Sequence, residues 1–152
     1  MLLLRLLPVV ACTIYLANYV EDFAAFNDAY LSVFTGDVKP SRTCVGVSNL
    51  PAGTDVEVTA TALQRTGGPK RVISSKHAPP PAPFLSSAIA TDELVFLSGA
   101  CGVKNGKFVE GTVADRAKVA LCNVEALLKE EGLNLSDSAF PSLPPSHQKS
   151  RG

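Results

Sequence analysis

The chain has 152 residues, 46% of them hydrophobic, enough to bury one core but hardly two. Fourteen basic and fourteen acidic side chains leave no net charge and no basic run, which argues against a nucleic-acid partner. Four scattered cysteines without a C-x-x-C pair and two histidines, His77 and His147, are poor material for a zinc site, so no metal or cofactor is expected.

The cysteines read as reduced, mostly buried thiols of an intracellular protein, cytoplasmic or, as the alternative, mitochondrial. The opening "MLLLRLLPVVACTIYLA" admits two readings, a secretory or lipoprotein-like signal and a buried strand. Arg5 and Pro8 interrupt the run, and it is shorter than the ~20 clean apolar residues of a spanning helix. Its β-branched second part, "VVACTIYLA", favours the strand, and no membrane partner is expected.

"NYVEDFAAFNDAYLSVFTG" predicts a helix. Asn18 with Glu21 resembles a capping box, and Gly36 stands where a left-handed C-terminal residue is wanted. Phe23, Phe26, Tyr30, Val33 and Phe34 form its apolar stripe, with Asn27 at the edge of the inward face.

"KPSRTCVGVSNLPAGTDVEVTATAL" then reads as two strands around a turn, a closing hairpin that arrives before the chain is half finished. Period two puts Arg42 and Cys44 on one face of the first strand, and Val56, Val58, Ala60 and Ala62 opposite Glu57, Thr59 and Thr61 in the second. An arginine in a run that wants burial needs a partner. The bland one is Glu57.

Beyond the polar connector Gln64 to Arg71, "RVISS" predicts a short strand, and "APPPAP" must run extended. "AIATDELVFLSGACGVKNGKFVEG" holds further strands, with Asn105-Gly106 as a two-residue hairpin turn. "TVADRAKVALCNVEALLKEEG" predicts a second helix that starts at Thr112 with Asp115, ends at Gly132, and carries Ala117, Ala120, Leu121, Val124, Leu127 and Leu128 as its stripe. Residues 138–152, rich in Pro, Ser and charge, are expected to be disordered. The alternation predicts a two-layer α/β sandwich.

The residues themselves resemble a known family. "VVACTIYLANYVEDFAAFNDAYLSVF" with "KPSRTCVGVSNLPAGTDVEVTATA" resembles the carboxy-terminal half of the Rid proteins, the YjgF-like reactive-intermediate deaminases. "RVISSKHAPPPAPFLSSAIATDELVFLSGACGV" through "ALCNVEALLKEEGLNLSD" resembles their amino-terminal half. The halves stand in reversed order, so the chain reads as one permuted domain over 9–137, made of 9–63, a linker at 64–71, and 72–137. The competing origin is a fragment of a tandem duplication. An eight-residue linker spans at most ~26 Å, so a permuted domain requires the old ends to be near neighbours.

The resemblance implies a chorismate-mutase-like sandwich, a mixed sheet covered by two helices, assembled as a homotrimer with pockets between subunits. It implies hydrolysis of imines and enamines of 2-oxo acids, and small 2-imino or 2-oxo acids as ligands. In that family the arginine of P-x-R-[ST]-C clamps the substrate carboxylate; here the motif reads Pro40 to Cys44, with Arg42 as the catalytic clamp. Asn27 and Cys44 match pocket-lining positions. Ser98 and Gly99 match a loop whose backbone amide holds the carboxylate or oxo group. Two departures stand out: Thr59 replaces the usual glutamate that positions water, and Leu85, beside Phe84, stands for the pocket tyrosine. A threonine is a poor base at neutral pH, so the resemblance leaves open a deaminase, a non-catalytic binder of small carboxylates, or a fragment without stable assembly.

Overall fold

A computed structural model describes residues 9–64 and 68–138. The leader before Val9 and all but Ser138 of the tail expected to be disordered, 138–152, lie outside the described residues. Strand β1 (Val9–Leu16) is the organising element. Its alternate residues Val10, Cys12, Ile14 and Leu16 are buried, as a half-covered strand of period two requires.

β1 lies between β2 (Ser41–Gly46), which runs parallel to it, and β3 (Val56–Ala62), which runs antiparallel. The expected hairpin of β2 with β3 is therefore not formed. The most apolar strand takes the centre, where both its edges are paired, and the intervening turn carries the chain across it. That turn is a short 3-10 segment, Pro51–Gly53, with Ala52 and Gly53 in the left-handed region at φ 55° and 68°.

Helix α1 (Tyr19–Val33) lies against β1 and β2. Cys12, Ile14, Leu16 and Tyr30 form the core there, with Phe23, Phe26, Phe34 and Phe84 packed around them. Val33 of the expected stripe is half exposed. Neither predicted end signal operates. Asn18 makes no side-chain capping bond, and the helix closes at Phe34 without a left-handed residue, Gly36 lying beyond it with an ordinary φ. Aromatic packing, rather than capping, holds α1.

The second part of the chain forms an antiparallel sheet of β4 (Arg71–Ile73), β5 (Ala88–Ala90) and β6 (Val95–Leu97). It is followed by the hairpin of β7 (Val103–Lys104) and β8 (Lys107–Phe108). Asn105 and Gly106 turn that hairpin at φ 53° and 75°, as predicted. Helix α2 (Val113–Lys129) opens with a complete capping box between Thr112 and Asp115 and is followed by left-handed Gly132 at φ 70°. Leu127 packs with Ile73, Ala88 and Ala90, whereas Ala117 and Leu121 of the expected stripe remain exposed.

The two sheets meet along β2. Ser86 donates its backbone N–H to the Pro40 carbonyl (3.1 Å) and its hydroxyl to the Lys39 carbonyl (2.7 Å); Gly99 N–H donates to the Arg42 carbonyl (3.1 Å). The result is a mixed β core flanked by two helices, a small α/β sandwich whose expected single sheet is divided into ladders. All seven residues of β3 are exposed. Among the described residues no helix is long and apolar enough to cross a membrane. All four cysteines are free; Cys12 is buried and Cys44 half-buried, but Cys101 and Cys122 are exposed, contrary to the mostly buried set expected.

Candidate functional site

Arg42 is 2% exposed, on the α1 side of β2, opposite Cys12 in the β1 register. Its guanidinium carbon lies 4.7 Å from the ring centre of Tyr30, 4.8 Å from Phe84, 5.1 Å from Phe26 and 5.7 Å from Phe23. Phe23, Phe26 and Tyr30 come from one face of α1, where spacings of three and four residues bring side chains together. Phe84 arrives from the proline-rich segment. Ring faces attract a cation and exclude water, so the charge is held in an aromatic box.

Within the box Nη1 donates to Asn27 Oδ1 at 2.6 Å. Nε and Nη2 are buried with no hydrogen-bond partner among the described residues. No acid compensates the charge: the ion pairs among the described residues join Arg71 with Glu131 and Lys129 with Glu125. Glu57, the bland partner, lies exposed on β3 beyond β1.

The neighbouring weak acids do not supply a negative charge either. Burial pushes the Cys12 thiol up, against smaller opposing effects of Tyr30 and Arg42, and burial likewise drives the Tyr30 hydroxyl well above its ordinary value. The Tyr30 hydroxyl lies against the Cys12 sulfur without reaching good hydrogen-bond geometry. Both stay neutral at physiological pH. A buried guanidinium with two nitrogens unpartnered among the described residues, in neutral surroundings, retains the hydrogen-bonding capacity that a planar anion would use.

Other residues singled out by the resemblance are distributed around this centre. Asn27, 8% exposed, belongs to it directly, and more deeply than the helix edge expected. Cys44 follows on the same face of β2 and packs on the α1 core. Ser98 buttresses the arginine from behind: its hydroxyl accepts from Arg42 N–H (2.8 Å) and donates to the Ser86 carbonyl (2.6 Å). The backbone amides of Ser98 and Gly99, which the resemblance directs to the ligand, are committed to the carbonyls of Ser87 and Arg42. Gly99 is small for a reason, since a Cβ there would meet Thr43 Oγ1 at 3.3 Å.

Leu85 does not face Arg42. Together with Ser98, Gly99, Cys101, Asn123 and Leu127 it lines a separate cleft of about 260 Å³. Phe84, its neighbour, takes the aromatic place beside the arginine. Thr59 is in register with Thr13 of β1, which in turn faces Thr43 of β2. Alternation puts that row on the sheet face opposite Arg42, with Thr59 two strands away. Within one chain Thr59 and Arg42 cannot share a ligand. The box itself, Phe23, Phe26, Tyr30 and Phe84, was predicted only as helix stripe and loop. Its signal was the aromatic bias of that stripe, far above the 7% aromatic content of the whole chain.

The family model described as Endoribonuclease L-PSP matches residues 4–64 and 75–138. A 2-iminobutanoate/2-iminopropanoate deaminase of Dermatophagoides farinae is 37% identical over 71 residues, 45% of this chain and 56% of that protein. Reactive Intermediate Deaminase A, chloroplastic, of Arabidopsis thaliana is 34% identical over 91 residues, 59% of this chain and 46% of that one. Among solved structures, yeast Mmf1 is 36% identical over 38% of this chain and 45% of its own, with a TM-score of 0.36. The chain spans about half the length of the curated relatives it matches.

Proposed function

The chain belongs to the family described as Endoribonuclease L-PSP, the Rid or YjgF-like proteins, and from that premise we propose that Arg42 binds the carboxylate of a small 2-imino acid, which is hydrolysed to the 2-oxo acid and ammonia. The observation that carries the reading is that two buried nitrogens of Arg42, Nε and Nη2, have no hydrogen-bond partner among the described residues. Nε and Nη2 are one edge of the planar guanidinium fork, and a carboxylate accepts both in parallel. Asn27 holds the remaining terminal nitrogen, so the fork is oriented before the ligand arrives.

In the proposed reaction water adds to the C=N carbon, a proton moves to nitrogen, and the C–N bond breaks to release ammonia. Arg42 positions the substrate through its carboxylate and takes no proton itself. The name of the Dermatophagoides farinae relative supports this substrate class, and that of the Arabidopsis thaliana relative supports the deaminase reaction. In the proposed assembly, a homotrimer with pockets between subunits, a neighbouring chain presents the group that activates water.

A second reading keeps the binding and drops the chemistry: a module that binds small carboxylates or 2-oxo acids. Thr59 favours it, because it stands where the family resemblance calls for a water-positioning glutamate and lies on the far face of the sheet from Arg42. Ammonia release from 2-iminobutanoate generated in place, compared for wild type and Arg42→Ala, decides between them. Acceleration by wild type alone supports the deaminase; saturable binding of 2-oxobutanoate without acceleration supports the binder.

We also read 9–137 as one domain whose halves are permuted. Supporting this, Lys70 donates to the Val9 carbonyl at 3.0 Å, and the adjacent Arg71 pairs with Glu131 near the end of α2. Neighbouring residues thus touch the start of the first strand and the segment just after the last helix, the two places that the unpermuted order would join directly.

A further inference from the structure

We propose that Phe84 is a gate: it closes the aromatic box over Arg42, and a ligand reaches the guanidinium only when the turn that carries Phe84 swings away. The gate presupposes the carboxylate receptor proposed above and adds how that receptor is reached. Arg42 is 2% exposed, and its Nε and Nη2 are buried. A carboxylate cannot accept from nitrogens it cannot touch, so part of the box must move first. The neighbouring cleft of about 260 Å³ is not the route as it stands, since Ser98 and Gly99 line it but Arg42 does not.

Four rings surround the cation, and they differ in what holds them. Phe23, Phe26 and Tyr30 belong to α1. Displacing that face of the helix would break the bond between Asn27 and Nη1 and uncover Cys12, Ile14 and Leu16. Phe84 has no such tie. It stands among residues 74–87, which join β4 to β5 and belong to no ladder. Pro79, Pro80, Pro81 and Pro83 in that segment have no N–H to offer a neighbouring strand. The turn itself is closed by one backbone bond, from Leu85 N–H to the Ala82 carbonyl at 3.2 Å, with Pro83 and Phe84 as its central residues. Firm anchoring resumes at Ser86, which is bonded to Lys39 and Pro40. A segment with so few backbone bonds opens at lower free energy than a packed helix.

The Phe84 ring is half-buried, 4.8 Å from the guanidinium carbon, and meets Phe23 edge-on at 5.7 Å. Its face thus shields the cation until an anion replaces it. Leu85, the next residue, faces the 260 Å³ cleft, which gives the turn room to recede. Gate and receptor lie in one chain, so the device works whichever subunit supplies the group that activates water.

A gate has a signature opposite to that of a ligand contact. When only the open fraction binds, the apparent dissociation constant is the intrinsic one divided by that fraction, so removing the gate strengthens binding. Removing a ring that merely touches the ligand weakens it.

Access can be probed without carboxylate recognition. 2,3-Butanedione, an uncharged dicarbonyl that condenses with accessible guanidinium groups, is applied to the whole chain, and modified arginines are identified by peptide mass. In wild type Arg42 should react roughly tenfold more slowly than exposed Arg116, and in Phe84→Ala roughly tenfold faster than in wild type, with Arg116 unchanged. Phe84→Leu should fall between. Phe34→Ala removes a ring that packs on Tyr30 but is not among those around Arg42, so it should leave Arg42 protected. Equal reactivity of Arg42 and Arg116 in wild type, no gain in either Phe84 variant shown folded by circular dichroism, or an equal gain in Phe34→Ala overturns the gate. Repeating the reaction with 2-oxobutanoate separates the two claims. Protection of Arg42 in Phe84→Ala supports both; fast modification without protection keeps the gate and removes the carboxylate reading.

Discussion

The two helices solve the same problem by different means. α2 is fixed by its ends: Thr112 and Asp115 exchange hydrogen bonds at its start, and Gly132 takes the left-handed turn after its close. α1 has neither device and is fixed by its side, where Phe23, Phe26 and Tyr30 close over Arg42 and the β1 core. A helix held by local signals can be read one residue at a time. A helix held by a tertiary contact carries the information of what it covers, and α1 covers a buried cation, Arg42, that has no acid partner among the described residues.

The largest effects should follow from the residue that α1 covers. Arg42→Ala is expected to weaken saturable binding of a 2-oxo acid by a hundredfold or more, because the proposed charged bidentate contact would be lost. Arg42→Met should weaken it equally yet leave the unliganded protein more stable, by about 1–2 kcal/mol, since two unsatisfied buried donors disappear and the box stays filled. Chemical denaturation of the two proteins without ligand checks this. A less stable Arg42→Met would mean that the arginine is chiefly a structural element of α1.

Asn27→Ala comes next. It strands a third guanidinium nitrogen and should cost about 1–3 kcal/mol of stability, with weaker ligand binding because the fork is no longer held. Removing caps sharpens the contrast between helices: Thr112→Ala should cost about 1 kcal/mol, and Asn18→Ala, which has no capping bond to lose, close to nothing.

Acidity provides the smallest test. Hydrogen bonds from Thr112 hold the Asp115 carboxyl below its ordinary range. The folded value is depressed, so the cap's contribution is fully present above the unfolded pKa, about 3.9, and is lost as pH falls through the lower folded value. Below about pH 4, wild type and Asp115→Asn should therefore converge in stability; above it wild type should be the more stable. Thermal melts at several pH values read this directly.

What was legible in the sequence follows the same division. The Asn105-Gly106 hairpin, the Thr112 capping box and the left-handed Gly132 are local chemistry, and they were read correctly from a few residues each. The placement of β2 and β3 was not, because adjacency in sequence suggested a hairpin while burial of Val10, Cys12, Ile14 and Leu16 gave β1 the central place. Arg42 stood out as a charge in an apolar run, and Asn27, at the edge of the inward helix face, as a match to a family pocket position. Their meeting was not predictable from spacing, nor was the choice of Phe84 over Leu85, since one residue of register in a proline-rich segment sends adjacent side chains to different clefts.

The Nε–Nη2 edge of the Arg42 guanidinium is proposed as a carboxylate receptor. Isothermal titration of wild type and Arg42→Met with 2-oxobutanoate tests it most directly, each at a concentration where circular dichroism shows the protein folded. The account predicts saturable, one-site heat for wild type that is lost in Arg42→Met. Equal binding by both proteins, or none by a folded wild type, would contradict it.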